Sequence, residues 1–398
     1  MPSMTEKLVS RISDAELERR WSLTRAAMEK AGIDALVMQN SNEFVGGYVK
    51  WFSDLPARQG VPLTVIFPRE GDMIVVRAGP RGGRLMDAGD GDWPWRGVSR
   101  VLTVPYTTAE CTTNTVDAEL AVTELQSLGA RKIGWLGMGA IRFSFGKYLT
   151  DHLGGVSLTD FSFAVDGIKA IKSPEEIDLI RATARMQDDV FAHVLSVIEP
   201  GMREFEVAAA AYYQTQLRGS SQGFVLTGSA PMGSPATKGL RHFQNRRLQE
   251  GDQFTILIET NGEGGYYTEI GRTIVLGKAS NEMLDEFEFA EQAQRETLKQ
   301  LKPGAAPAEI WANHNEFMRN GGRPEERRLY AHGQGYDLVE RPSLRDDDPM
   351  RIEKDMNIVV HPTFQTDTTY AWICDNYMVE ANGVSDCLHH TEKMVFEL

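Results

Sequence analysis

The second half of the sequence holds the side chains best suited to acid–base or metal chemistry. His242 lies in the segment LRHFQNR, and Glu259 ends the apolar run FTILIE. Glu269, His332 and His361 follow at wide intervals. Carboxylates and imidazoles move protons and ligate divalent ions in enzymes. Because these residues lie far apart in sequence, spacing alone also allows surface histidines and plain ion pairs.

A cysteine, three tyrosines and an aspartate are further candidates. Cys374 lies in the run YAWICDN and is either a soft metal ligand or a small buried apolar residue. Tyr266, Tyr267 and Tyr336 either donate hydrogen bonds in a pocket or pack within a sheet. Asp337, next to Tyr336, is a candidate base.

Two loop segments in the first half combine aromatic and charged residues. The segments are WFSDLPARQG, with Trp51, Phe52, Asp54 and Arg58, and GDWPWRG, with Trp93, Trp95 and Arg96. Aromatic rings beside cations often line small-molecule pockets. The alternative is a dimer contact that does not touch substrate.

The charge balance excludes two classes of partner. The chain has 42 Lys and Arg residues against 56 Asp and Glu residues, which gives a formal net charge of −14. Nucleic-acid phosphates and anionic membrane surfaces attract clustered positive charge. We therefore predict neither a nucleic-acid nor a membrane partner.

Cysteine usage and the N-terminal composition favour the cytoplasm. Three cysteines among 398 residues do not make a disulfide framework. The first twenty residues are polar and charged and lack the apolar core of a signal peptide. No run approaches the length of apolar segment that spans a bilayer. We expect a cytoplasmic protein.

Hydrophobic periodicity predicts an α/β arrangement in the first half of the chain. Residues 14–31 carry apolar side chains near a 3.6-residue period, which indicates an amphipathic helix that ends at Gly32. Short β-rich runs follow, namely IDALVMQ, LTVIFP, DMIVVRA, VLTVPY and KIGWLG. Strands that alternate with helices predict a mixed or parallel sheet.

The second half reads as α+β. Ser173 and Glu176 have the spacing of a capping box, with Pro174 at the first helical position, so a long helix should begin there. We predict further helices from Glu204, over 283–301 and over 307–319. The predicted strands are FTILIE, RTIVLG, NIVVHP, YAWICDN and YMVEA, in an antiparallel sheet.

Six ordered segments of the second half resemble the motifs of the M24 "pita-bread" family, which includes methionine aminopeptidase, aminopeptidase P, prolidase and creatinase. They are KSPEEIDLIRAT, GDQFTILIETNGEGGYYTEIGRT, LKPGAAPAEIW, AHGQGYDLVERP, MNIVVHPTF and WICDNYMVEANG. The first half is similar to the N-terminal domain of creatinase and aminopeptidase P. The resemblance implies an α/β N-terminal domain at 1–165 and an α+β pita-bread domain at 166–398.

The resemblance also implies a metal site, but with altered ligands. The family's peptidases bind two metals through Asp, Asp, His, Glu and Glu. Matched segment by segment, these positions carry Glu259, Glu269, His332, His361 and Cys374. Imidazole and thiolate are softer ligands than carboxylate, so we expect one zinc or iron ion rather than two bridged ions. The alternative is a site without metal, as in creatinase, where the side chains act on the substrate directly.

Further roles follow from the resemblance. The proton-shuttling histidine of the family resembles His242, which we predict to be a general acid/base, with His332 and Glu269 also catalytic. In a dimethylsulfoniopropionate-lyase branch, a catalytic aspartate follows the ligand histidine by six residues, whereas Asp337 follows His332 by five. Dimers are usual in the creatinase-like branch, and Trp51 and Arg96 are candidates to reach the partner's pocket.

These observations predict a homodimeric hydrolase that cleaves a C–N bond of a small non-peptide metabolite. Tyr266, Tyr267 and Tyr336 are predicted to bind substrate. The alternatives are a lyase with Asp337 or a tyrosine as base, an Xaa-Pro-type metallopeptidase, and a binding protein without catalytic activity.

Overall fold

The computed structural model describes residues 11–42, 47–55, 60–80, 82–85, 95–105 and 114–398. The chain divides into two compact units, which within the described residues span 11–169 and 170–398. None of the helices in these ranges is long and apolar enough to cross a membrane.

The first unit contains a mixed sheet with helices between its strands. Its helices are α1 (Asp14–Ala31), α2 (Tyr48–Ser53), α3 (Val116–Ser127), α4 (Phe143–His152) and α5 (Ser162–Ala170), which contains both the division between the units and the boundary predicted after residue 165. Its strands are β1 (Ala35–Asn40), β2 (Leu63–Pro68), β3 (Met73–Ala78), β4 (Gly82–Leu85), β5 (Val98–Val104), β6 (Lys132–Leu136) and β7 (Ser157–Asp160).

The sheet of the first unit has the order β4–β5–β3–β2–β1–β6–β7. The β1–β2 and β2–β3 pairs are antiparallel, whereas the β3–β5, β1–β6 and β6–β7 pairs are parallel. Apolar side chains of the central strands pack against α3 and α4, for example Val37 and Ile133 against Leu125 and Leu149. The predicted mixed α/β organisation is confirmed.

The second unit begins with two helices packed on a sheet. Its helices are α6 (Pro174–Val197), α7 (Glu204–Leu217), α8 (Asn281–Leu298) and α9 (Pro307–Asn320). Its strands are β8 (Gly223–Pro231), β9 (Asp252–Asn261), β10 (Tyr267–Val275), β11 (Ala331–Gly333), β12 (Glu340–Ser343), β13 (Asn357–Val360), β14 (Thr363–Gln365), β15 (Tyr370–Trp372), β16 (Asp375–Glu380), β17 (Gly383–Val384) and β18 (Val395–Glu397).

Helix α6 starts where the sequence predicts. The Ser173 hydroxyl accepts a hydrogen bond from the Glu176 N–H at 3.2 Å, and the Glu176 carboxylate accepts one from the Ser173 N–H at 2.8 Å. These reciprocal bonds satisfy two backbone donors that the first helical turn would otherwise leave unpaired.

Two sheets of the second unit carry the candidate site. One has the order β18–β10–β9–β8, and its β10–β18 pair is parallel. The other has the antiparallel order β12–β11–β13–β16–β17. A backbone hydrogen bond of 3.1 Å from Gly271 N–H to the Cys374 carbonyl joins β10 to the chain just before β16. The two sheets therefore meet where the candidate ligands lie.

The predicted strand YAWICDN is divided in the structure. Strand β15 ends at Trp372 and β16 begins at Asp375. Cys374 lies in the interval, where its backbone bridges to Gly271 of the other sheet. This bridge places Cys374 between the two sheets rather than within one continuous strand.

Candidate metal centre

Three candidate side chains are brought together by strands of the two sheets. His332 lies in β11, and His361 directly follows β13. The His361 N–H donates to the Tyr330 carbonyl at 2.8 Å, which extends the β11–β13 ladder by one residue. Glu269 lies in β10, and its N–H donates to the Asn376 side-chain oxygen on β16 at 2.8 Å. Backbone hydrogen bonding therefore fixes all three positions.

The side chains of Glu269, His332 and His361 converge at one point. His332 Nε2 lies 3.5 Å from Glu269 Oε1, and His361 Nε2 lies 3.9 Å from the same oxygen. One ligand atom from each residue lies within 4.8 Å of the others. Ligands at metal–ligand distances of 2.0–2.1 Å in a tetrahedral site lie about 3.3 Å apart. The separations are therefore close to those of a divalent-ion site.

The neutral ring of His332 leaves its Nε2 as an acceptor that faces Glu269 Oε1. Burial lowers the pKa of His332 to about 4, so its ring is neutral at pH 7. His332 Nδ1 is 2.9 Å from the Gly333 carbonyl, which can only accept, so Nδ1 carries the proton and Nε2 keeps its lone pair. Burial also lowers the pKa of His361 well below its usual value.

The carboxylate of Glu269 shows whether the three converging residues suit a divalent metal ion. Its Oε1 is buried and has no hydrogen-bond partner within the described part of the chain. A buried oxygen without a partner is costly, and a divalent ion would satisfy it together with the imidazole nitrogens. Two histidines and one carboxylate form a recognised ligand set for zinc and non-haem iron. The residues fit a divalent metal.

Glu259 lies directly opposite Glu269 in the β9–β10 ladder. Its Oε1 accepts a 3.3 Å hydrogen bond from the Gln334 side chain, and Gln334 in turn accepts one from Asn376 at 2.9 Å. Burial and the charge of Glu269 raise the pKa of Glu259 well above its usual range. Burial likewise raises the pKa of Glu269 to about 7, although Lys238 and Cys374 act in the opposite direction.

Cys374 lies beside the three converging residues as a thiol. Its Sγ is 3.7 Å from the Glu269 backbone carbonyl, and burial raises its pKa well above the usual value. The structure thus brings together three of the five predicted ligands, Glu269, His332 and His361. Glu259 and Cys374 adjoin them and are held by other hydrogen bonds.

A lysine that sequence reasoning missed also faces this site. Lys238 Nζ lies 3.4 Å from the centre of the Trp372 ring. Burial lowers the pKa of Lys238 to about 8, whereas the nearby Cys374, Glu269 and Glu259 raise it. Lys238 lies four residues before His242, the residue that resembles the family's proton-shuttling histidine. No periodicity or motif distinguishes it in the sequence.

Two glycines allow Lys238 to reach this position. A Cβ on Gly228 would lie 2.1 Å from the Thr237 carbonyl oxygen, so only glycine lets the segment before Lys238 lie against β8. The Gly239 N–H then donates to Thr227 at 2.9 Å. A Cβ on Gly271 would lie 2.1 Å from the Trp372 ring. Gly271 therefore leaves the space for the ring on which the ammonium group rests.

His242 and Asp337 are not among the residues that converge. His242 is exposed in a short 3₁₀ turn, and its ring lies 4.0 Å from that of Phe243. Asp337 is buried, and its backbone N–H donates to Glu340 at 3.3 Å. Neither belongs to the groups of candidate metal ligands found in the described residues.

The three tyrosines have structural contacts. The Tyr266 hydroxyl donates to Glu176 at 2.7 Å, and the Tyr266 ring stacks on Tyr336 with centroids 4.4 Å apart. The Tyr267 hydroxyl donates to Gln222 at 3.0 Å. All three tyrosines are buried, and their role in binding substrate stays a prediction.

Trp51 and Arg96 make their contacts within the first unit. Trp51 is 1% exposed and packs edge-to-face on Phe52. Arg96 is buried and binds Asp54 at 2.6 Å and Asp14 at 2.8 Å within the first unit. Their role at a partner's pocket stays a prediction. Two further residues of these segments, Arg58 and Trp93, lie outside the described residues.

Comparison with known proteins agrees with this fold. Metallopeptidase family M24 matches residues 178–381, which is half of the chain. Creatinase from Bacillus sp. (strain B-0618) is 28% identical over 381 residues, covering 90% of this chain and 85% of that protein. The probable dipeptidase PepE of Mycobacterium bovis is 26% identical over 342 residues, covering 83% of this chain and 82% of that protein.

Solved structures share the architecture. The X-Pro aminopeptidase of Thermotoga maritima superposes with a TM-score of 0.78 at 17% identity, covering 95% of this chain and 99% of that one. Dipeptidase PepE of Mycobacterium ulcerans superposes with a TM-score of 0.77 at 21% identity, covering 98% and 99%. The fold is the pita-bread fold predicted from the sequence. The chain belongs to metallopeptidase family M24, and is a hydrolase of that family.

Proposed function

We propose that this protein hydrolyses a C–N bond in a small non-peptide metabolite, using one zinc or iron ion held by Glu269, His332 and His361. The single observation that carries the proposal is the buried Glu269 Oε1, which has no hydrogen-bond partner in the described residues and faces two imidazole nitrogens. A divalent ion bound there would polarise a carbonyl group or activate water.

The neighbouring side chains supply acid–base chemistry. Glu259 lies across the strand pair from Glu269, and a carboxylate at this position can accept and return a proton during the reaction. Glu259 takes one proton from the attacking water as the C–O bond forms. It returns this proton to the nitrogen as the C–N bond breaks, so that the products are a carboxylic acid and an amine. The Gln334 amide orients Glu259 throughout.

The ligand set supports a reaction other than standard Xaa-Pro cleavage. The family's peptidases place carboxylates at four of five metal positions, whereas this chain places His361 and Cys374 at two of them. Two imidazoles and one carboxylate suit a single ion better than a bridged pair. The lyase alternative has less support, because the Tyr266 hydroxyl binds Glu176 and Asp337 is not among the converging residues.

Metal content tests the site directly. Protein purified without chelators or metal-affinity tags should contain about one zinc or iron ion per chain by elemental analysis. E269Q, H332A and H361A should each lose it, whereas H390A, which removes an exposed histidine, should retain it. Wild-type protein without metal would contradict the metal part of the proposal.

Product analysis tests the reaction. We expect amine release from a panel of small amides and guanidino acids, with ¹⁸O from labelled water in the acid formed from an amide and in the urea formed from a guanidino acid. Elimination would leave the product without that oxygen, and a binding protein would be stabilised by ligand without turnover. Faster cleavage of Xaa-Pro dipeptides than of any panel member would contradict the non-peptide assignment.

The homodimer and the cytoplasmic location stay predictions.

A further inference from the structure

The side chain of Asn376 takes the place of a backbone acceptor between the two sheets of the candidate metal centre. The Gly271 N–H donates to the Cys374 carbonyl at 3.1 Å in an antiparallel bridge. If this bridge continued as a regular ladder, the Glu269 N–H would donate to the Asn376 backbone carbonyl. It donates instead to the Asn376 side-chain oxygen at 2.8 Å, while the Asn376 carbonyl accepts from the Leu388 N–H at 3.0 Å. A side chain therefore joins the two sheets at the position of Glu269.

The hydrogen bonds of the Asn376 amide fix its orientation. A backbone N–H can only donate, so the Asn376 oxygen must face Glu269 and the Asn376 nitrogen must face away from it. The nitrogen donates to Gln334 Oε1 at 2.9 Å and to Asn357 Oδ1 at 3.2 Å. All three amide side chains are buried. Asn376 therefore cannot turn away from Glu269 without leaving buried polar groups unpaired, which is costly.

This contact ties the carboxylate ligand to the sheet that carries the two imidazole ligands. Glu269 belongs to β10 of one sheet, whereas β11, β13 and β16 belong to the other. His332 lies in β11, His361 directly follows β13, and Asn376 lies in β16. The distances of 3.5 and 3.9 Å from Glu269 Oε1 to the two imidazole nitrogens therefore depend on how far apart the two sheets lie. The Asn376 side chain spans that interval.

We propose that Asn376 is the positioning residue of the metal centre, and that it holds the Glu269 backbone at the separation from His332 and His361 at which all three bind one divalent ion. This inference rests on the proposed function, since it takes these three residues as the ligands. Asn376 acts through Glu269 and is not itself a ligand. Metal–ligand distances must lie within about 0.2 Å of their ideal values, so a Glu269 backbone without this tie binds the ion less tightly.

Two variants of Asn376 isolate the contribution of its side-chain oxygen. Metal-free, full-length protein is titrated with Zn²⁺ in competition with a chelator of known affinity, because Zn²⁺ binds nitrogen and oxygen ligands more tightly than Fe²⁺ does. N376L has a similar size but no acceptor for the Glu269 N–H, and its zinc affinity should fall about tenfold to a hundredfold. N376D keeps an oxygen that accepts from Glu269, so its zinc affinity should stay at or above the wild-type value.

Stability measurements and a matched control separate positioning from a general effect on folding. N376D places a buried carboxyl group against two amide oxygens, so urea denaturation of the metal-free proteins should show it destabilised at least as much as N376L. A purely structural role would rank zinc affinity in the same order as stability, whereas positioning reverses that order. N357L removes a buried amide that binds Gln334 and Asn376 rather than Glu269, and it should keep the wild-type zinc affinity. If N376L does not fold, N376A removes the same oxygen without adding methyl groups.

The outcomes distinguish this inference from the proposed function. Wild-type zinc affinity in the variant without the oxygen, a loss in N376D as large as in that variant, or an equal loss in N357L would each overturn the positioning role. Those results leave the proposed function standing, provided that the wild-type protein binds zinc. Absence of zinc binding in the wild-type protein would defeat the metal part of the proposed function and this inference together. Failure to hydrolyse any C–N bond would defeat the proposed function alone, because zinc affinity does not depend on turnover.

Discussion

The ammonium group of Lys238 lies over the face of Trp372, with Nζ 3.4 Å from the ring centre. The aromatic face attracts the cation and holds it near the carboxylates of Glu259 and Glu269. Trp372 itself is fully buried, because Gly271 leaves room for its ring against β10. A positive charge is thus fixed at the edge of a site whose other groups are acidic or neutral.

Removal of the Cys374 thiol should leave metal binding intact. Cys374 Sγ contacts the Glu269 backbone carbonyl, and the raised pKa of this thiol disfavours the thiolate that a metal would bind. We expect C374A to keep the wild-type metal content by elemental analysis after dialysis, whereas H361A should lose it. C387A controls for loss of a thiol elsewhere. A loss of metal in C374A as large as that in H361A would make Cys374 a ligand.

The buried ion pair between Arg272 and Asp375 should be essential for stability. Both side chains are fully buried, and Arg272 Nη2 lies 2.7 Å from Asp375 Oδ1. D375N would leave the guanidinium without its counter-charge, so we expect the free energy of unfolding to fall by about 3–5 kcal/mol in urea denaturation. E296Q, which breaks the half-exposed pair with Lys299, should cost less than about 1 kcal/mol. A D375N cost as small as that of E296Q would contradict this expectation.

Much of the fold could be predicted because local signals agreed with the packing. The capping box at Ser173 and Glu176 sets the start of α6, and amphipathic periodicity predicts α1 over residues 14–31. Both signals act within one or two helical turns and depend little on distant residues. The hairpin between β9 and β10 similarly follows from two β-rich runs separated by glycines.

The rest of the site depends on contacts between distant segments. Lys238 lies near the candidate metal ligands because Gly228, ten residues earlier, allows close backbone approach, and because Gly271 leaves room for the Trp372 ring. Nothing in the local sequence indicates either contact. Similarly, His242 fits the expected segment by its residue type, but the chain directs its ring to Phe243. The residue types indicated which side chains could do acid–base or metal chemistry, whereas only the tertiary structure shows where those side chains lie.

His314 should make stability depend on pH. Its ring is 2% exposed, and neither nitrogen has a hydrogen-bond partner among the described residues. Burial lowers its pKa to about 4 from the ordinary 6.5. As the pH falls from 6.5 to 4, the unfolded chain binds a proton at His314 that the folded chain does not, so folding becomes less favourable. The contribution of the neutral His314 ring to the free energy of unfolding is therefore fully present above pH 6.5 and is lost as the pH falls toward 4.

The H314F variant tests this dependence. Phenylalanine preserves the stacking on Tyr330, whose ring lies 3.8 Å from that of His314, but does not titrate. Between pH 7 and pH 5, the wild-type protein should lose about 2 kcal/mol more free energy of unfolding than H314F, as measured by urea denaturation. Other buried histidines are present in both proteins, so their effects cancel in the comparison. Equal losses in the two proteins would show that His314 is protonated when folded.

The last prediction concerns the glycine that positions Lys238. In G228A the added methyl group would meet the Thr237 backbone, so the segment must move away from β8. We expect a loss of about 1–3 kcal/mol in the free energy of unfolding, as measured by urea denaturation. In G239A the nearest atom is Phe243 Cβ at 3.6 Å, an ordinary contact, so the free energy of unfolding should stay near wild type. If G228A kept the wild-type free energy of unfolding, the position of Lys238 would not depend on this contact, because a shift of the Thr237 backbone must also shift the residue that follows it.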